Sequence, residues 1–285
     1  ALSISMRALR CATGKANLFF NYGQIPTAFT LALSHGTNDA QKTMGIIAMA
    51  MVTTGYVTEF QVPWWVIALS AAAIAAAGTP VRRVFLADGD AMTLSFRRLE
   101  EIMQAIRRHL PDVQRVSSYC LPRNLRNKTV EQLAALRELG LDLFYVGCES
   151  GDDLVLERVS KGETFASSLE ALHKIKAAGA RSSVMILNGM GGARYSEQHA
   201  LNSARLMNAA QPEFLSTLVV SFPTGEERYR AGFRGEYEPL DQTGLFREML
   251  WLLETLDLDN TVFRSDHASN YLVLKGTLNR DRDRL

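Results

Sequence analysis

LDLFYVGCESGDDLVLERVSKGETF, residues 141–165, sets a short apolar run directly against a cluster of small and acidic residues. Its first seven residues read as a buried β-strand, and Gly147, Cys148, Glu149, Ser150 and Gly151 fall where that strand ends. Outward from this stretch the same grammar repeats. Apolar or β-branched runs occur at 81–87, 113–119, 182–187, 215–220 and 261–264. Amphipathic stretches separate them at 96–109, 130–139, 167–178, 197–208 and 244–256, with Leu99, Ile102, Met103 and Ile106 marking a helical stripe. Gly140 and Gly179 stand at helix C-cap positions. Strands alternating with helices predict a mainly parallel α/β sheet with crossovers. Six such units suit either an open doubly wound sheet or part of a barrel.

In both architectures the chemistry lies beyond the C-terminal strand ends. Those ends are polar throughout: Asp88, Gly89 and Asp90 after the first, Ser117, Ser118, Tyr119 and Cys120 at the second, and Glu149 and Ser150 after the third. Asn188, Gly189, Met190, Gly191 and Gly192 follow the fourth, Ser221 the fifth, and Ser265, Asp266 and His267 the sixth. Any one of these serves equally as a turn or helix cap. Converging on one rim, they suit a small polar ligand with hydroxyl and amino groups. Cys120 and Cys148 follow adjacent strands, but two thiols do not define a zinc site, and small buried cysteines are the alternative. His267 beside Asp266 is an acid–base candidate with no nucleophile placed by spacing. Gly189, Gly191 and Gly192 lack the glycine order of a dinucleotide fingerprint.

Composition changes sharply along the chain. Up to Thr79 the charged residues are Arg7, Arg10, Lys15, Asp39, Lys42 and Glu59, whereas from Arg82 charges recur every few residues. A mean hydropathy of −0.03 averages over that step. The stretches 44–60 and 63–79 (PWWVIALSAAAIAAAGT) have about the minimum length of a membrane-spanning helix. Trp64 and Trp65 stand where an interfacial belt belongs, and the small residues of 70–78 suit packing within a bilayer. Two buried helices of a soluble core are the alternative. The N-terminal apolar stretch, broken by Asn21, Gln24 and Pro26, reads as no signal peptide, and Ala1 as internal to a longer reading frame. The three cysteines, Cys11, Cys120 and Cys148, build no disulfide framework, and the net charge of +1 gives no footprint for nucleic acid.

Between apolar runs lies SHGTNDAQKTMG, residues 34–45, where Ser34, Thr37, Asn38, Asp39 and Thr43 crowd around Gly36. Such a cluster suits a broken helix lining an ion or substrate site, or else a capped loop outside the membrane. SHGTNDAQKTMGIIAMAM, residues 34–51, resembles the second signature of the inorganic phosphate transporter family, sodium- or proton-coupled carriers, over roughly residues 18–79. The resemblance implies that Ser34, Thr37, Asn38, Asp39 and Thr43 are half of a phosphate and cation site, since the family carries this signature twice and only one copy is present here.

YVGCESGDDLVLERVSKGETF (145–165), with VFLADGDAMTL (84–94) and VMILNGMGG (184–192), resembles the radical S-adenosylmethionine superfamily, nearest its oxygen-independent coproporphyrinogen dehydrogenase-like branch, over about residues 81–285. The resemblance implies a partial (β/α)6 TIM-like barrel, here preceded by all-α transmembrane helices. It implies S-adenosylmethionine as cofactor beside a [4Fe–4S] cluster held by C-x-x-x-C-x-x-C. By position, Asp88, Gly89 and Asp90 match the motif that holds the methionyl amino group, Glu149 and Ser150 the ribose-binding strand end, and Asn188 and Gly189 (with Leu187) an adenine-lining strand. Leu218 to Ser221 is a weaker match to the next such strand. No C-x-x-x-C-x-x-C occurs in the chain, so the cluster's ligands are missing, no metal ligand is assigned, and no catalytic residue is named. The expectation is two fragments: phosphate-transporter-like membrane helices, 1–79, and a radical-SAM-like barrel, 81–285, lacking its first strand and cluster loop. The implied partners are a small-molecule ligand, inorganic phosphate and the membrane, with no nucleic acid, and the second part is expected in the cytoplasm. Thr79, Pro80 and Val81 leave almost no linker between them, which favours a gene rearrangement or a sequence-assembly join over a native fusion.

Overall fold

The computed structural model of the chain describes residues 81–87, 90–222 and 225–285. The chain divides into two compact units, Ala1–Val84 and Phe85–Leu285, and the second is described below. The expected membrane stretches and the residues of the expected phosphate half-site, Ser34, Thr37, Asn38, Asp39 and Thr43, lie outside the described residues. Among the described residues no helix is long and apolar enough to cross a membrane.

Seven strands form one sheet in strictly sequential order: β1 (Arg83–Leu86), β2 (Arg115–Cys120), β3 (Leu141–Glu149), β4 (Arg181–Asn188), β5 (Phe214–Val219), β6 (Thr261–Arg264) and β7 (Lys275–Leu278). From β2 to β6 every described pair is parallel, whereas β7 returns antiparallel to β6. A doubly wound sheet reverses its strand order at a switch point, and this sheet has no reversal. The helices are α1 (Phe96–His109), α2 (Val130–Glu138), α3 (Asp153–Arg158), α4 (Phe165–Ala177), α5 (Gly192–Ala210), α6 (Glu227–Gly232) and α7 (Gln242–Thr255). All six expected strands and all five expected helices are present. α3, α6 and the antiparallel β7 are additions that periodicity does not signal.

Local chemistry sets the helix starts. Thr129 and Gln132 close a capping box on α2, Thr164 and Ser167 one on α4, and the Asp241 carboxylate accepts from Gly244 N at 2.7 Å to open α7. Gly140 and Gly179 follow α2 and α4 at φ +106° and +72°, the left-handed conformation expected of them. Four of the helices bury a stripe: Leu99 and Met103 of α1, Leu133 and Leu136 of α2, Leu172 and Ile175 of α4, and Ala204 and Met207 of α5. Truncating such a buried Leu to Ala costs about 2–5 kcal/mol. On the sheet's other face Phe85, Tyr119 and Tyr145 meet, with the Phe85 and Tyr119 rings 4.8 Å apart, and Tyr119 is 49% exposed.

Candidate functional site

The parallel strands end on one rim, and each expected residue there is held differently. Asp88 and Gly89 lie outside the described residues. Asp90 opens a 3-10 turn, Ala91–Thr93, and its Oδ1 accepts from Met92 N at 3.2 Å. Its Oδ2 accepts from Asn124 Nδ2 at 2.6 Å, which ties the end of β1 to the turn after β2. Beneath both, the buried Lys128 ammonium donates to Met92 O at 2.7 Å and to Asn124 O at 3.1 Å. Loss of hydration holds that ammonium below the usual lysine range.

At the end of β3 the register with β4 shifts between Gly147 and Glu149, and Glu149 takes φ +68°. A non-glycine residue held left-handed at a strand end stores strain, a feature that clusters at binding sites. Its carboxylate pairs with Lys161, which arrives from the loop between α3 and α4. A Cβ at Gly147 would come 3.2 Å from Glu149 Oε1, so glycine leaves room for the pair. The loop carrying Lys161 is clamped by Glu163, whose buried carboxylate accepts from Arg123 N at 3.0 Å, Arg123 Nε at 2.9 Å and Ser167 Oγ at 2.8 Å.

Ser150 turns inward instead. It is fully buried, its Oγ lies 2.8 Å from His199 Nδ1, and it accepts from Asp152 N at 2.9 Å. Gly151 N donates to Ser203 Oγ at 3.0 Å, so the turn after β3 is stitched to α5. At the end of β4, Asn188 is buried with Nδ2 4.0 Å from Met249 Sδ, and Gly189 takes φ +81°. Gly189 N donates to the buried Glu248 carboxylate at 2.6 Å, and Gly189 O accepts from Tyr237 Oη at 3.1 Å. Tyr229 Oη donates to Met190 O at 2.6 Å. Burial pushes the Tyr237 phenol up to about 12 and the Tyr229 phenol higher still, so both remain donors at neutral pH. Together with Phe222 and Phe233 these tyrosines form an aromatic wall over the β4 end.

The remaining candidates part company. Asp266 pairs with Lys275 at 2.9 Å, whose ammonium holds the carboxyl below the usual range, while His267 Nδ1 faces Ser269 Oγ at 2.9 Å. The two neighbours therefore make no acid–base pair. Cys120 and Cys148 are free and buried; burial raises both thiols, Cys148 to about 12. Lys161, Asn124, Glu248 and His199 escaped the sequence reading. Lys161 sits in a loop with no periodicity, and the other three are polar residues whose role only tertiary contact reveals.

Comparison with known proteins gives the two ends of the chain different likenesses, overlapping at residues 66–93. Residues 4–93 match the model of the Phosphate transporter family, and residues 66–207 that of the Radical SAM superfamily. A probable low-affinity inorganic phosphate transporter of Mycobacterium leprae is 52% identical over 59 residues, 20% of this chain and 14% of the relative. Its counterpart in Bacillus subtilis is 49% identical over 53 residues, 18% of this chain and 16% of the relative. The chain thus spans about a seventh of these transporters' length. Coproporphyrinogen III oxidase (HemN) from Escherichia coli, a radical SAM enzyme, superposes with a TM-score of 0.51 at 16% identity, over 66% of this chain and 43% of that one. That likeness is one of fold: a parallel-rich α/β sheet. The N-terminal part is phosphate-transporter-like and the C-terminal part radical-SAM-like.

Proposed function

We propose that residues 81–285 are an arc of a partial (β/α)6 barrel that binds an adenosyl ligand of the S-adenosylmethionine class without radical chemistry, joined to a fragment of an inorganic phosphate transporter. The observation that carries it is the β3 end, where a strained Glu149 faces the rim beside the cationic Lys161. A carboxylate there accepts the two hydroxyls of a ribose, and an adjacent ammonium suits a ligand carboxylate. Asp90, with Asp88 and Gly89 before it, supplies acceptors for an amino group, and Asn188 and Gly189 border the base through backbone and apolar surface. Ser150 supports this rim from below rather than touching the ligand.

The residues present do not fit the iron–sulfur cluster of the superfamily. A cluster needs thiolates, and the two described cysteines are buried with thiols shifted toward the protonated form. Neither stands in a C-x-x-x-C-x-x-C run. No step through a cluster is derived. In the N-terminal part, Ser34, Thr37, Asn38, Asp39 and Thr43 are the corresponding half of a phosphate and cation site in a membrane segment, the reading favoured by the 52% identity to a transporter. The second part then faces the cytoplasm.

The binding test is calorimetry of the full chain with S-adenosylhomocysteine. Two charge-assisted hydrogen bonds of roughly 1.5–3 kcal/mol each, set against the freedom lost on binding, give an expected dissociation constant nearer millimolar than micromolar. Glu149→Ala is expected to abolish the binding, and equal binding by wild type and Glu149→Ala would remove the ribose role.

A further inference from the structure

We propose that Glu248 is a positioning residue that sets the turns after β3 and β4 in register for the ligand; the proposal rests on the adenosyl-binding reading of those turns. The Glu248 carboxylate, on α7, is 2% exposed, yet among the described residues it pairs with no arginine or lysine. Its Oε1 accepts from Gly189 N at 2.6 Å, and its Oε2 accepts from Ser196 Oγ of α5 at 2.5 Å. His199 Nε2 lies 3.8 Å from Oε1 and 3.0 Å from Leu187 O, and its Nδ1 reaches Ser150 Oγ at 2.8 Å. Glu248 thus ties the turn after β4 to α5 through Ser196, and α5, which also carries His199, is tied to the turn after β3 through Ser150.

Buried carboxylates are costly to desolvate, and apolar side chains of similar volume commonly serve stability as well or better. What an apolar residue cannot do is orient a turn amide. Gly189 stands at φ +81°, and a Cβ there would lie 3.1 Å from Leu245 Cδ2. Its N–H is fixed by Glu248 and its carbonyl by Tyr237, so both backbone polar groups of the turn are held. At the β3 end Ser150, drawn back by His199, leaves Glu149 on the rim. Displacing the carboxylate frees the turn after β4 from α5, the helix that also holds the turn after β3.

The test uses the full chain in detergent micelles with S-adenosylhomocysteine as probe. It reads the dissociation constant by calorimetry and the Gly189 amide proton by NMR. Glu248→Ala is expected to weaken binding about tenfold or more and to move the amide proton upfield as its charged acceptor is lost. Glu248→Gln keeps one acceptor for Gly189 N and a donor toward Ser196 Oγ, and is expected to restore binding to within about threefold of wild type. A merely structural role would lower the melting temperature and leave the affinity of the folded protein untouched. Wild-type binding matched by folded Glu248→Ala overturns the positioning role alone. A wild type that binds nothing overturns the adenosyl reading, and the positioning role falls with it. If Glu248→Ala does not fold, Ser196→Ala, which frees one carboxylate oxygen, takes its place, and affinity equal to wild type overturns the proposal.

Discussion

Cys148 illustrates how a single residue's environment decides its chemistry. Its thiol is fully buried behind β3, and burial raises it from 9.0 to about 12. The unfolded chain releases that proton first, so stability is intact below pH 9 and falls as pH rises from 9 toward 12. Cys120 and Tyr237, raised by the same cause, add to the decline. Urea midpoints taken at pH 8 and pH 10 are expected to show the loss, and Cys148→Ala to flatten it by up to about 1.4 kcal/mol per pH unit. An unchanged slope in Cys148→Ala would mean the thiol is hydrated in the native state. At this scale the rim was half legible in sequence. Glu149 announced itself because glycines and a strand end flank it, whereas the partners that hold the rim sit 12 residues away at Lys161 and 59 away from Gly189 at Glu248. No local pattern encodes such separations.

Among the elements, the turn joining β3 to α3 packs its backbone directly against α5. A Cβ on Gly151 would fall 2.3 Å from Asn202 O, a backbone atom that cannot swing aside. Gly151→Ala is expected to cost about 1–3 kcal/mol through overpacking, read as a lower urea midpoint at unchanged m-value. Stability equal to wild type would show that α5 moves freely against β3. The regular elements were legible because helix stripes of period 3.6 and buried strand runs leave their marks in sequence. α3 and α6, with six residues each, are too short to complete a stripe. β7 has four residues, Lys275–Leu278, with Lys, Gly and Thr in it, and it forms because β6 offers an edge rather than from its own propensity.

For the molecule as a whole, the division in composition at Arg82 carries the expectation about solvent. The full chain is expected to stay with membranes through carbonate washing while protease added on the cytoplasmic side cuts within residues 85–285, and release of the intact chain into the wash would refute the membrane reading. The sequential strand order has its own consequence. Every strand from β2 to β7 pairs with its immediate predecessor in the chain, so each interface closes a loop no longer than one crossover. Losing a strand at one edge therefore deletes a single interface and leaves the register of the others intact. An arc of this kind tolerates the loss of a strand at either edge, and a rim built on the strands between outlasts it.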